Sequence, residues 1–209
     1  MKQLTKYNRV AGYFNKLYDM LNNDFFNGEM ERPVITIQST PKAYGHFSLY
    51  EAWTVNGQGV PEINIGAGTL TRPIEQVIAT LIHEMTHQYN FINGIQDCSR
   101  GATYHNKMFK IAAEAHGLIV ERSEKYGWCI TSCSDELFQW ILDNELEDIQ
   151  LNRNDLDAEI ISGGTRKRTA TGTRASHSIR YHCPKCNAIV RATRVVNVIC
   201  GDCLEQMVA

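Results

Sequence analysis

The sequence has no apolar run long enough to cross a membrane as a helix. Its longest apolar stretch, residues 77–82, is interrupted by Thr80 and is far shorter than the ~20 residues that a spanning helix needs. Residues 1–20 carry charges and contain no apolar core of the kind found in secretory leaders. We therefore expect no membrane partner and predict a cytoplasmic location.

The chain also lacks a large net charge, because 21 Lys and Arg oppose 23 Asp and Glu. These charges are unevenly placed, however. Residues 162–209 hold eight Lys and Arg against Asp202 and Glu205, which gives this segment +6 and leaves −8 on residues 1–161. A basic segment on an acidic body indicates either an acidic partner such as DNA or neutralisation of the body by its own tail.

Residues 162–180 have little hydrophobic periodicity and are rich in Gly, Ser, Thr and Arg, a composition typical of a flexible linker. We therefore predict one domain over residues 1–161, a basic linker over 162–180 and a small module over 181–209. Nothing in the pattern predicts an oligomeric state.

Hydrophobic periodicity predicts an α+β fold for the first domain, with helices packed on a small mixed sheet. Contents of 43% hydrophobic and 21% charged residues exclude a disordered chain. Alternating residues predict strands over 34–37, 44–50 and 62–65, and the Gly-containing segments between them are predicted as turns. Helical spacing predicts a first helix from Tyr7 to about Asn23 and a second that follows the N-cap Thr71 and has Pro73 in its first turn. A third helix is predicted over residues 104–116, with Gly117 as its C-cap. A fourth is predicted from Ser134, with an acidic face formed by Asp143, Glu145, Glu147 and Asp148.

The second predicted helix carries an HExxH motif, His83-Glu84-Met85-Thr86-His87. Histidines at positions i and i+4 lie one turn apart on the same face, where both imidazoles can bind one Zn²⁺. Glu84 is rotated by ~100° from His83 and can contact a water on the metal without becoming a ligand. The alternative is a helix with two surface histidines and a glutamate in an ion pair, which the clean apolar stripe of this helix disfavours.

A catalytic zinc site needs a third protein ligand. His105 is the best candidate, because it opens the next predicted helix; Glu114 on that helix is the second choice and His46 a weaker one. His116 lies too far along the same helix to share an ion with His105, since eleven residues span ~16 Å. We interpret His116 as a helix-end residue.

The last segment carries two CxxC pairs, Cys183/Cys186 and Cys200/Cys203, out of seven cysteines. In a reducing compartment this spacing is typical of a zinc ribbon, in which four thiolates close a structural Zn²⁺ site. We predict two short strands, over residues 188–193 and 194–199, between the pairs. A redox dithiol and four free thiols are the alternatives, and the basic residues Arg180, Lys185, Arg191 and Arg194 suit phosphate contacts.

The ordered set of motifs resembles a known family. Tyr44-Gly45-His46-Phe47, Pro61-Glu62-Ile63-Asn64-Ile65, the HExxH segment and His105 followed by Phe109 look like the SprT-like metalloprotease domain of bacterial SprT proteins and of the DNA-dependent protease Spartan. The match covers about residues 4–130, and the Cys pairs resemble the zinc ribbon of bacterial members. The resemblance implies a zincin-like fold, a catalytic Zn²⁺ held by His83, His87 and His105, and Glu84 as the catalytic residue.

The leading hypothesis is therefore a zinc endopeptidase acting on protein substrates, including DNA-associated ones, with DNA as a candidate partner of the linker and ribbon. We expect the substrate to extend along an edge strand, either residues 62–65 or the strand near His46, with Tyr104 and Tyr181 as candidates for stabilising the oxyanion. The predicted acidic helix could compete with DNA for the basic linker. The rival hypothesis is a zinc-stabilised nucleic-acid or protein-binding adaptor with a latent HExxH site.

Overall fold

The computed structural model of this protein describes residues 4–40, 43–154, 179–186, 188–192 and 195–209. The chain divides into two compact units, Met1–Thr165 and Arg166–Ala209. Residues 162–178 of the predicted linker lie outside the described residues. Within the described part, no helix has the length and apolar character needed to span a membrane.

The first unit is a mixed α+β structure. Its helices are α1 (Tyr7–Phe25), α2 (Ile74–Ile92), α3 (Lys107–Ala115) and α4 (Asp135–Asp143), with a single 3₁₀ turn at Ala67–Thr69. Its strands are β1 (Val34–Gln38), β2 (Gly45–Phe47), β3 (Trp53–Val55), β4 (Gln58–Val60), β5 (Glu62–Gly66), β6 (Cys98–Ser99), β7 (Tyr104–His105), β8 (Leu118–Ser123) and β9 (Gly127–Cys133).

Two small mixed sheets and one hairpin use these strands. The first sheet has the order β1-β5-β2, with β5 parallel to β1 and antiparallel to β2. The second has the order β6-β7-β9-β8, and β3 pairs with β4. Helix α2 contacts β2 and β5 of the first sheet, β9 of the second sheet and α3, so it is the central element of the unit.

Apolar residues at helical spacing explain why α1 is buried on one face, whereas α2 is buried almost all round. Phe14, Leu17 and Leu21 of α1 are fully buried, as are Val77, Ile78, Leu81 and Met85 of α2. These residues belong to one continuous core that also takes in Ile63, Ile65 and Phe109. The histidine-bearing face of α2 is left for the cleft between the sheets.

Several predicted element boundaries are wrong. Helix α2 begins at Ile74, and its N-terminal amide is capped by Asp148 Oδ1 at 2.8 Å rather than by Thr71. Residues 104–105 form a strand instead of a helical turn, because Asn106 accepts hydrogen bonds from the Met108 and Phe109 amides and starts α3 there.

The glycine-containing segment between the second and third predicted strands holds a turn at Gly57, as predicted, but the residues on either side of it form the unpredicted β3–β4 hairpin. Asn56 and Gly57 at its tip have φ of 51° and 82°, the conformation that an Asn-Gly hairpin turn requires. Helix α4 ends at Asp143, so the predicted acidic face is not helical at Glu145, Glu147 and Asp148.

The second unit is a two-stranded antiparallel sheet joined to a cysteine cluster. Its strands are β10 (Ile179–His182) and β11 (Ile189–Ala192). Strand β11 falls in the predicted segment 188–193, but its partner is the chain before the first Cys pair; the described residues 195–199 form no strand. The buried residues of this unit are Tyr181, Cys183, Cys200 and Met207.

Candidate metal centre and its cleft

Three imidazoles converge on one point beside α2. The Nε2 atoms of His83 and His87 each lie 3.1 Å from Nε2 of His105. Tetrahedral Zn²⁺ with Zn–N bonds of ~2.0–2.1 Å places its nitrogen ligands ~3.3 Å apart. The three histidines could therefore bind one metal ion, and the donor set fits zinc.

His105 reaches this point through strand pairing. Its amide donates a hydrogen bond to the Tyr126 carbonyl at 2.9 Å, and it pairs in parallel with Gly127 on β9. Gly127 has a φ of +74°, and a Cβ built on it would lie 2.1 Å from the His105 carbonyl oxygen. Only glycine allows this close approach. Phe109 then packs against all three imidazoles, with ring centroids 4.6–4.7 Å apart.

Neighbouring side chains orient two of the imidazoles. His87 Nδ1 donates to Asp97 Oδ2 at 2.7 Å, and His83 Nδ1 lies 3.3 Å from Thr131 Oγ1. A hydrogen bond at Nδ1 leaves the Nε2 lone pair free to face a metal ion. Asn90 also donates to Asp97 Oδ2, at 3.0 Å. Burial alone would raise the pKa of Asp97, but the hydrogen bonds from His87 and Asn90 outweigh it and lower the pKa.

Burial favours the neutral form of two of the imidazoles, those of His83 and His105. Desolvation, with smaller contributions from the other two histidines, holds the pKa of His83 well below its ordinary value. Desolvation and His87 likewise lower the pKa of His105 to about 4. Neutral imidazole is the form that binds metals. Within the described part of the chain, buried Nδ1 of His105 has no hydrogen-bond partner.

Glu84 lies against strand β2 and is only 5% exposed. A Cβ built at Gly45 would lie 3.1 Å from Glu84 Oε1 and 2.8 Å from the Asn64 carbonyl oxygen. Glu84 therefore occupies space that a side chain at position 45 would otherwise fill. Desolvation raises the pKa of Glu84 to about 7, against opposing contributions from His87 and the Phe47 backbone. Glu84 is not part of the histidine ligand group.

A cleft of about 750 Å³ runs past the three histidines and Glu84. Residues 43–47 and 129–133 line it on opposite sides, together with Arg72 and Thr80 of the α2 region. Strand β2 is the terminal strand of its sheet, whereas β5 is paired on both sides. Of the two edge strands considered from the sequence, β5 is therefore excluded and β2 is available.

The other residues considered from the sequence as metal ligands are not part of the histidine group. Glu114 is exposed and pairs with Lys110 at 3.5 Å. His116 is buried at the end of α3 and stacks on Phe26, with ring centroids 4.1 Å apart. His46 is an exposed residue of β2 that lines the cleft but is not grouped with the other histidines.

Of the two tyrosines proposed for the oxyanion, Tyr104 does not line the cleft, and Tyr181 belongs to the second unit. The Tyr104 hydroxyl accepts a hydrogen bond from Arg122 at 3.2 Å, and the Tyr181 hydroxyl of the second unit accepts one from the Val196 amide at 3.1 Å. Tyr126 is the tyrosine near the histidines that does line it, along with Tyr44 at the opposite wall. Sequence spacing gave no reason to single out Tyr126 or Asp97.

The second unit gathers Cys183, Cys186, Cys200 and Cys203, whose sulfur atoms all lie within 4.8 Å of one another. Cys186 Sγ and Cys200 Sγ are 3.6 Å apart, close to the ~3.8 Å between thiolates on a tetrahedral zinc ion. Backbone amides of Cys186 and Lys185 lower the pKa of Cys183. This cluster could also bind a metal ion.

Comparisons of the chain with protein-family models, curated proteins and solved structures find no match.

Proposed function

We propose that this chain is a zinc-dependent endopeptidase of the SprT-like type, with a zincin-like first unit and a zinc ribbon as its second. The observation that carries the proposal is the position of Glu84, a buried carboxylate on the same cleft as three convergent imidazoles. A metal site that only stabilised the fold would have no use for a buried carboxylate beside it that is not a ligand.

His83, His87 and His105 would hold the catalytic zinc ion, and three protein ligands leave the fourth position open for chemistry. Zinc bound there supplies a Lewis acid that polarises the scissile carbonyl and activates water. Asp97 fixes the tautomer of His87 through the 2.7 Å hydrogen bond. The cysteine cluster of the second unit would hold a structural zinc ion, because four thiolates leave no open position.

The substrate would bind as an extended chain along β2, since the free edge of that strand lies in the cleft. Glu84 then acts as the general base that takes a proton from the attacking water and later delivers it to the leaving amine. Gly45 supports this role because its lack of a side chain leaves room for the carboxylate, which would lie 3.1 Å from a Cβ at this position.

The test is to substitute Glu84→Gln and to measure cleavage of an unfolded, fluorescently labelled protein. Loss of the general base is expected to lower kcat by about 10²- to 10⁴-fold, with both metal ions retained by elemental analysis. The matched control is Glu114→Gln, because Glu114 is exposed and outside the cleft; it should cleave like the parent. Equal cleavage rates for the parent and Glu84→Gln would refute the role of Glu84 as general base, whereas a parent that cleaves nothing would favour the adaptor role.

DNA remains a proposed partner, supported by the +6 charge of residues 162–209. Substituting Arg166, Lys167 and Arg168 together by Gln in the full chain is expected to weaken DNA binding equally for unrelated sequences. The slope of log affinity against log salt should fall by up to about 3, one for each lost phosphate contact. An unchanged affinity and slope would assign the binding, if any, to other residues.

A further inference from the structure

Arg72 is a cation set into the wall of the cleft, two residues before α2 begins. Its Nε donates to the Thr69 carbonyl at 2.9 Å, and its Nη2 donates to Thr80 Oγ1 at 3.0 Å. Its Cζ lies 3.9 Å from the centre of the Tyr44 ring. These contacts fix the guanidinium at the mouth of the cleft, beside the chain that leads into β2.

The charge of Arg72 has no acidic counterpart in the described part of the chain. No described carboxylate lies within 4.0 Å of it, whereas Arg32 pairs with Asp19 and Lys110 with Glu114. Its contacts are with neutral groups, and burial lowers its pKa. A half-buried cation without a counter-charge is costly, and a carboxylate entering the cleft would relieve that cost with charge-assisted hydrogen bonds.

The guanidinium is also close to the proposed scissile bond. Thr80, which accepts its Nη2 hydrogen bond, precedes His83 by three residues, or ~4.5 Å along the helix axis. An extended peptide advances ~3.3 Å per residue. A peptide paired with β2 would therefore carry groups from one to three residues from the scissile bond past Arg72.

We propose that Arg72 is a specificity-determining residue that binds a carboxylate of the peptide substrate. The carboxylate comes either from an Asp or Glu side chain near the scissile bond or from the free C-terminus of a short peptide. This inference rests on the proposed function, since it concerns the same cleft, and it narrows the substrate class to peptides that carry a carboxylate near the scissile bond.

The experiment uses the full protein and a set of internally quenched peptides. One series places Glu or Gln at each of the three positions on either side of the cleaved bond; a second compares a free with an amidated C-terminus. The parent is expected to prefer the carboxylate-bearing member of one series by about 10- to 100-fold in kcat/KM. The preference should appear mainly in KM, as expected for uniform binding, and should weaken with added salt.

Arg72→Gln is expected to lower kcat/KM far more for the carboxylate-bearing peptides than for their neutral counterparts and so to remove the preference, and Arg72→Lys should restore part of it. The matched control is Arg100→Gln, which removes another guanidinium stacked on a tyrosine but outside the cleft lining. A purely structural Arg72 predicts a different result, in which Arg72→Gln slows all peptides equally. That result, or a preference that survives in Arg72→Gln, would overturn the inference.

A binding experiment separates this inference from the proposed function: the affinity of the Glu84→Gln variant for labelled peptides is measured by fluorescence anisotropy. If the parent cleaves nothing, the proposed function fails; acidic peptides that still bind through Arg72 would keep the inference. If the parent cleaves peptides but neither its rates nor its binding distinguish Glu from Gln, the inference fails and the proposed function stands. The preference of the parent is measured without any Arg72 variant, so the test survives misfolding of the variants.

Discussion

Asp97 is the residue on which the orientation of His87 depends. Its Oδ2 accepts hydrogen bonds from both the Asn90 side-chain amide and His87 Nδ1. Outer partners of this kind commonly change metal affinity by about 10- to 100-fold when they are altered. Asp97 therefore belongs to the candidate metal centre although it is not a ligand of the proposed catalytic ion.

We expect Asp97→Asn to weaken zinc affinity at the histidine site by about 10- to 100-fold, because the amide cannot accept the His87 hydrogen bond with the charge of a carboxylate. Competition with a chromophoric chelator measures this affinity. Asp19→Asn, which disturbs only a surface ion pair with Arg32, should bind zinc like the parent. An equal loss in both variants would show that Asp97 has no special role.

Gly45 sets the position of Glu84, and Gly45→Ala tests this directly. The new Cβ would meet Glu84 Oε1 at 3.1 Å and the Asn64 carbonyl at 2.8 Å, so the carboxylate or the strand must shift. We expect lower kcat with both metal ions retained. Gly12→Ala has open space around its Cβ and should keep the parental rate; a parental rate in Gly45→Ala would show that the cleft tolerates the shift.

The residues that could be predicted from the sequence are those with a local pattern. The sequence predicts His83 and His87 because their i, i+4 spacing matches one face of a helix, and Glu84 because it follows His83 in the HExxH motif. It predicts the paired cysteines because CxxC places two thiolates in one tight turn. Asp97 carries no such signal, since its role depends on a loop that folds back onto α2. The close approach at Gly127 is likewise a long-range contact.

At the scale of elements, α2 carries the centre of the proposed site and depends on a distant residue for its first turn. Asp148 Oδ1 accepts the Ile74 amide at 2.8 Å. Periodicity predicts the helix because its apolar stripe is local. It cannot predict this cap, because the carboxylate lies 74 residues further along the chain. Strand β7 was missed for the same reason, since two residues form a strand only through their non-local partners.

Asp148→Ala is expected to lower the free energy of unfolding of the first unit by about 0.5–2 kcal/mol, the usual cost of losing a capping side chain. Urea unfolding followed by tryptophan fluorescence measures it. Asp143→Ala removes an exposed carboxylate that accepts only from Gln139, and it should change stability by less. Equal effects would mean that the Asp148 contact contributes no more than a surface hydrogen bond.

At the scale of the whole molecule, the two units differ in what holds them together. The first has a continuous apolar core drawn from its helices and both sheets. In the described part of the second, the buried residues are two cysteines of the cluster, Tyr181 and Met207. A module with so small a core would need the proposed metal ion in order to fold. The α+β class could be predicted from the sequence patterns. The arrangement of both sheets around α2 could not, because it depends on pairing between strands that are distant in the sequence.

Removing metal with a strong chelator should therefore unfold the second unit and leave the first folded. Tryptophan fluorescence reports the first unit alone, because Trp53, Trp128 and Trp140 all lie within it. We expect this signal to stay near its native value while hydrogen exchange in residues 179–209 becomes fast. Retained protection there after complete chelation would contradict a metal-dependent ribbon.

The contact between Gly45 and Glu84 has a consequence for the products of cleavage. The strand that would pair with the substrate is the same strand against which Glu84, the proposed general base, is packed. The position of the base and the register of the substrate would therefore both be set by β2. A slip of one residue would move the peptide by ~3.3 Å and exchange its faces. Each substrate should therefore yield fragments with a single sharp end by mass spectrometry; ragged ends at the earliest times would show that β2 does not align the chain.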